Sequence, residues 1–141
     1  MNNRMHHSIC STILLMGLVA FQLANAAPPV RVTSADPPFG NQDSTVTVSI
    51  FGRNFDTGEG QISAVKFLLP TCDPDDESCT PPDPNDPTGG VKATVIAVPS
   101  SQEIVATVVI DKSAVVEFRD IEVLMTGGRG GKGATLFKVE P

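Results

Sequence analysis

The chain contains no tryptophan and no tyrosine, and its two histidines, His6 and His7, both fall within the first ten residues. That stretch belongs to an expected leader. Arg4, His6 and His7 give a weakly positive start, Ile9 to Leu23 is mostly apolar, and Ala24-Asn25-Ala26 supplies small residues at the −3 and −1 positions of a cleavage site. Cutting after Ala27 would put Pro28 beside the scissile bond, so the cut is expected after Ala26. The apolar run is shorter than the roughly 20 residues that span a bilayer, so no membrane span is expected after cleavage. Cys10 precedes the apolar run and is not placed as a lipoprotein cysteine. The sequence therefore reads as an exported protein, secreted, periplasmic or on the cell surface, with residues 1–26 as signal peptide and 27–141 as a single domain.

Once the leader is removed, the missing residue types exclude several functions. Without histidine there is no Ser-His or Cys-His triad, no usual general base and no commonest zinc ligand. Without tryptophan and tyrosine the chain lacks the rings that sugar-binding sandwiches usually present, because a stacking face and a polar edge are needed together. A hydrolase using paired carboxylates would need two acids fixed about 5–10 Å apart in a cleft, and the acids here cluster in a proline-rich loop unsuited to that precision. The sequence thus predicts no enzyme and no cofactor.

What is present is alternation with a period of two. Val46, Val48 and Ile50 alternate with Thr45, Thr47 and Ser49; Val65, Phe67 and Leu69 alternate with Ala64, Lys66 and Leu68. Val30 to Thr33, Val91 to Val98, Glu103 to Ile110, Ile121 to Met125 and Leu136 to Val139 complete about seven short strands. Turn residues separate them at Asp36 to Gly40, Gly58 to Gly60, Pro99 to Ser101 and Gly127 to Gly133. The only helical candidate, Ser113 to Val116, is one turn at most. Regularly spaced strands without amphipathic helices predict an all-β sandwich or barrel.

One segment breaks the pattern. Residues 71–90 hold five prolines, six acidic residues and no basic one. Each proline removes a ladder donor, so this is expected to be a long solvated loop of the kind that is usually functional or disordered. The whole chain has 10 basic and 16 acidic side chains, a net charge of −6. Loss of Arg4 leaves nine basic groups in the mature chain, and setting loop 71–90 apart leaves ten acidic groups against them. The acidity is therefore that of one loop on a nearly neutral body, and it argues against nucleic acid or an anionic membrane as the main partner.

Within the loop, Cys72 and Cys79 have six residues between them, and an oxidising compartment favours their pairing as a disulfide, which contributes roughly 2–3 kcal/mol by loop-closure entropy. Asp73, Asp75, Asp76 and Glu77 are calcium candidates by charge alone. Their spacing does not follow the Asp-x-Asp-x-Asp-Gly pattern, and Pro74, Pro84 and Pro87 stiffen the chain, so a solvated acidic loop is the favoured reading. The run Gly127 to Gly133 departs from a phosphate-binding loop because Thr126 takes the first glycine position and Gly133 follows the lysine. It is expected to be a glycine-rich hairpin with Arg129 and Lys132 at an exposed tip that could meet an acidic partner. The phenylalanines are assigned to the core, with Phe51 the one that reaches the outer face.

Two stretches carry a resemblance. Pro29-Val30-Arg31-Val32, Pro37-Pro38-Phe39-Gly40 and Thr45 to Phe55, ending in Gly52-Arg53-Asn54-Phe55, resemble the opening of an IPT/TIG domain; Ile104 to Val108, Arg119 to Val123 and Ala134 to Val139 resemble its last three strands. The resemblance covers nearly all of 27–141 and implies an immunoglobulin-like β-sandwich of early E-set topology, acting as an extracellular interaction or spacer module. Asp43-Ser44 stands where that family usually has Gly-Gly, and loop 71–90 replaces a short connection. At the Gly52-x-x-Phe55 corner, Gly52 is expected to permit a backbone angle closed to other residues, Asn54 to tolerate a left-handed conformation, and Phe55 to cover the core. The expected function is binding of another protein or self-assembly, with a carbohydrate- or calcium-binding accessory module as the alternative.

Overall fold

A computed structural model describes residues 27–56, 61–72, 75 and 81–141. The expected leader, 1–26, lies outside the described residues. Eight strands are formed: β1 (Arg31–Asp36), β2 (Phe39–Asn41), β3 (Ser44–Arg53), β4 (Ile62–Leu68), β5 (Val91–Ser100), β6 (Glu103–Ile110), β7 (Phe118–Met125) and β8 (Gly130–Glu140). They make two four-stranded sheets in the orders β1-β3-β6-β5 and β2-β8-β7-β4, and no helix occurs among the described residues. This is the strand arrangement of an immunoglobulin-like β-sandwich, with a short additional strand β2.

The alternation sets which face is buried. In the β3–β6 pair, Val48 lies opposite Ala106 and Ile50 opposite Ile104, all four inward and fully buried. Thr47 opposite Thr107 and Ser49 opposite Val105 face outward. The second sheet contributes Val65, Phe67, Ile121, Val123, Phe137 and Val139 to the same core. Phe67 and Phe137 meet edge to face, 5.0 Å apart at 82°. Burying each ring stabilises the fold by roughly 2–3 kcal/mol, and the edge-to-face contact adds about 1 kcal/mol.

β2 was not expected. Asp36-Pro37-Pro38 carries the chain from the first sheet to the second, through a cis Asp36–Pro37 peptide, and Phe39–Asn41 then pairs parallel to Lys138–Glu140. The segment Asp36 to Gly40 has the composition of a turn because its first part is one. Its last residues join a strand about a hundred positions away, a pairing invisible to local periodicity.

The Gly127 to Gly133 segment also differs from expectation. The turn is Thr126 to Arg129, closed by Met125 N donating to Arg129 O at 2.7 Å. Gly130 to Gly133 already belong to β8. Here the bare backbone serves a close approach: a Cβ on Gly131 would overlap the carbonyl of Val30, and one on Gly133 that of Val32, so β1 can close over β8 only against glycine. Lys132 is therefore a strand residue, away from the hairpin tip.

Asp120 fixes an irregularity in β8. Its Oδ1 accepts the Thr135 amide at 2.9 Å, where Thr135 has φ +53°, and its Oδ2 pairs with Lys132 Nζ at 3.0 Å. Asp120 is buried while Lys132 is largely exposed. Asp120→Ala leaves the bulge amide without its acceptor and is expected to cost about 2–3 kcal/mol in urea unfolding. Lys132→Met should cost less than this, because the ammonium end of the pair is exposed and the Asp120 bond to the Thr135 amide remains.

Candidate functional site

Loops gather at the pole of the sandwich where β4, β5, β6 and β7 end or begin. Between them opens a cleft of about 570 Å³, lined by Leu69, Pro70, Pro81, Pro82, Asp83, Asp86, Gly89, Ser113, Val115 and Glu117. Its walls are aliphatic and its rim is acidic. The volume lies within the ~300–1,000 Å³ usual for ligand sites.

Each wall is built by local hydrogen bonds. Asp83 Oδ1 accepts Asn85 N at 2.8 Å, forming an Asx turn. Asp86 Oδ1 accepts the Thr88 hydroxyl at 2.6 Å and its Oδ2 accepts Gly90 N at 3.0 Å. These bonds, the Thr88 hydroxyl foremost, hold the Asp86 carboxyl below its ordinary value against the opposing effect of burial. The support that Asp86 gives this turn is thus present above the ordinary carboxylate pKa and is lost as pH falls through its lowered one. Leu69 N donates to Pro87 O at 2.9 Å and ties the turn to the end of β4. On the facing side, Asp111 Oδ1 accepts both the amide and the hydroxyl of Ser113, which makes 111–116 a turn and not a helix. Residues 81–90 are accordingly exposed over most of their length but internally bonded, with Gly89 buried, a more defined structure than the solvated loop expected.

Arg119 clamps the two walls together. It is fully buried, yet no carboxylate among the described residues pairs with it. Its Nε donates to Thr88 O at 3.1 Å; one terminal nitrogen donates to Glu117 O and Phe118 O at 3.0 and 3.1 Å; the other donates to Val115 O at 2.7 Å and Gly89 O at 3.4 Å. All five guanidinium N–H donors are therefore spent on main-chain carbonyls of the two loops. Burial pushes the guanidinium pKa below its usual value, and the charges of Glu117 and Asp86 oppose that shift. The sequence pattern places Arg119 in a strand without a role of its own. Its signal is its phase, since 119 shares the inward parity of Ile121, Val123 and Met125.

The residues singled out from sequence are dispersed. Cys72 is half-buried just beyond β4, whereas Cys79 lies outside the described residues, as do Asp73, Asp76 and Glu77. Asp75 is exposed. Among the described residues no group of three or more His, Cys, Asp or Glu is arranged to hold a metal ion. Gly52, Asn54 and Phe55 lie at the opposite pole, where Gly52 N and Phe55 N donate to the 101–102 turn. Asn54 has φ +63° and Phe55 is buried. The role expected of Gly52 is corrected: its φ is not in the left-handed region, and what the site demands is the absence of a Cβ, which would strike the Arg31 carbonyl and the Phe55 ring.

Arg129 and Lys132 form no shared free tip. Arg129 turns onto Asp56 and also donates to Pro28 O at 3.1 Å, while Lys132 pairs with Asp120. Phe51 is half-buried; the strongly exposed phenylalanines are Phe39 and Phe118, which flank Lys138 on one rung of the β2-β8-β7 sheet. The Lys138 ammonium lies 5.9 Å from the Phe118 ring. Among the described residues no helix is long and apolar enough to cross a membrane. No model of a known protein family matches the chain, and no curated protein matches it.

Proposed function

We propose that the chain is an exported, non-enzymatic interaction module, an IPT/TIG-like sandwich that binds another protein or assembles with itself. The observation that carries this reading is the cleft at the β4–β7 pole, whose walls are loops pinned by a buried arginine onto a rigid sandwich. Rigid scaffolds of this kind carry recognition on their loops. The carboxylates at its rim accept hydrogen bonds from neighbouring main-chain amides, Asp83 from Asn85, Asp86 from Gly90 and Glu117 from Phe118, a building role in place of a catalytic one. Export follows from the leader pattern of residues 1–26. In that compartment Cys72 and Cys79 pair as a disulfide.

Fractionation of the source cells, followed by intact mass measurement and crosslinking in place, tests the reading. The expected result is a chain beginning at Ala27, in the envelope or medium, two daltons lighter than its reduced form and crosslinked either to one partner or to itself. An uncleaved chain in the cytosol would remove the export reading. A chain that crosslinks to nothing and sediments as a monomer would remove the interaction reading.

A further inference from the structure

We propose that the cleft docks a lysine-bearing segment of a partner protein, taking the aliphatic stem of the lysine between Leu69, Pro70 and Val115 and its ammonium at the acidic rim. The inference rests on the reading of the chain as an interaction module and names the chemistry of its partner. Three observations carry it. The walls are aliphatic and proline-rich with no aromatic ring, which suits a methylene chain better than a stacked base or sugar. The rim carries three carboxylates, Asp83, Asp86 and Glu117, none of which is in an ion pair among the described residues.

The third observation is decisive for charge. The nearest buried cation, Arg119, has every N–H committed to carbonyls, so it makes no ion pair with the rim; it acts on Glu117 and Asp86 only through space, one cation against three carboxylates. The cleft is thus an apolar slot with net negative charge at its mouth, and its complement is a cation on an apolar stem. A lysine fits because its four-carbon stem buries while its head stays at the edge. Neighbouring apolar residues of the same segment would meet Val116 and Phe118, which are exposed immediately beyond Val115.

The test uses the 15N-labelled chain, expressed with its leader, and a fluorescein-labelled peptide Gly-Leu-Lys-Pro-Lys-Leu-Gly, with its glutamate counterpart and spermine as comparisons. The lysine peptide should bind saturably, and its amide shift changes should centre on Leu69, Gly89, Ser113 and Val115. Binding should weaken as salt rises, because the rim charges are exposed. Asp83→Asn with Glu117→Gln keeps the acceptor oxygens that cap Asn85 and Phe118, removes two charges, and should weaken binding about tenfold. Val115→Arg, at an exposed position, places a cation of the chain's own at the cleft and should abolish binding. Shift changes elsewhere, affinity unchanged in both variants, or spermine binding in place of the peptide would each overturn the proposal. If no peptide binds while crosslinking still captures a partner, the inference fails and the interaction reading stands.

Discussion

Replacing Arg119 with methionine is expected to destabilise the fold by about 3–5 kcal/mol in urea unfolding. The size follows from what remains after substitution. Methionine fills most of the volume of the arginine stem, so little of the cost is cavity. The five carbonyls of Thr88, Gly89, Val115, Glu117 and Phe118 lose their common donor; Gly89 O keeps the Val115 amide and Glu117 O the Val139 amide, while those of Thr88, Val115 and Phe118 lose a part-buried bond. A buried acceptor without a partner costs about 1–3 kcal/mol, and part of this will be relieved as the loops spread and admit water. The midpoint should fall with little change in slope. In hydrogen exchange, the amides of Gly90 and Val115 should lose protection before those of the β3–β6 ladder, because the clamp is local. Arg119→Lys should recover only part of the loss, since an ammonium has three donors and cannot reach carbonyls set around a planar fork. An Arg119→Met loss below about 1 kcal/mol would show that the carbonyls are already solvated and the clamp is not structural. Lysine-peptide binding should fall in the same variant without any change at the rim, since the cleft walls are held by this one side chain.

The sandwich was legible in the sequence wherever the core was made of β-branched residues at strict alternation. Val46-Val48-Ile50 and Ile104 to Ile110 are such runs, and their register in β3–β6 preserves the parity read from the sequence. Legibility failed where one composition serves two purposes. Glycines in Gly130 to Gly133 have the composition of a turn, but they sit in β8 because β1 crosses too closely for a side chain. Proline at 37 and 38 marks a turn correctly and so hides the strand that follows it. The cleft could not be read at all, because its walls come from the end of β4, from 81–90 and from 111–117, segments that only the order of strands in the two sheets brings together. Arg119 lies between these cases. Its inward parity in β7 was visible, and a charged side chain on the core phase is a signal that a buried polar partner set must exist somewhere.

Gly52→Ala is expected to cost about 3 kcal/mol or more, a large effect for one added methyl group. Gly52 lies near the end of β3, opposite Val32 of β1 and beside a register shift in that pair, so the two backbones are drawn together there. A Cβ at this position points at the Arg31 carbonyl and at the tip of the Phe55 ring, both inside ordinary contact distance. Neither neighbour can yield cheaply. The carbonyl belongs to the β1 backbone, and Phe55 is only 2% exposed, closing that end of the core. Overpacking of this kind typically costs 1–3 kcal/mol where side chains alone adjust, and more where backbone must move. Thermal unfolding should shift downward by roughly 10–15 °C for a domain of this size. Two further variants separate the causes. Gly52→Ala combined with Phe55→Leu should recover only part of the loss, because the carbonyl clash survives removal of the ring. Asn54→Gly, at a genuine left-handed position, should lose little through backbone conformation and only the exposed 2.7 Å bond from Asn54 Nδ2 to Pro29 O, roughly 0.5–1 kcal/mol. If Asn54→Gly proves the more damaging of the two, the corner is held by the Asn54–Pro29 hydrogen bond and not by the close approach of β1 to β3.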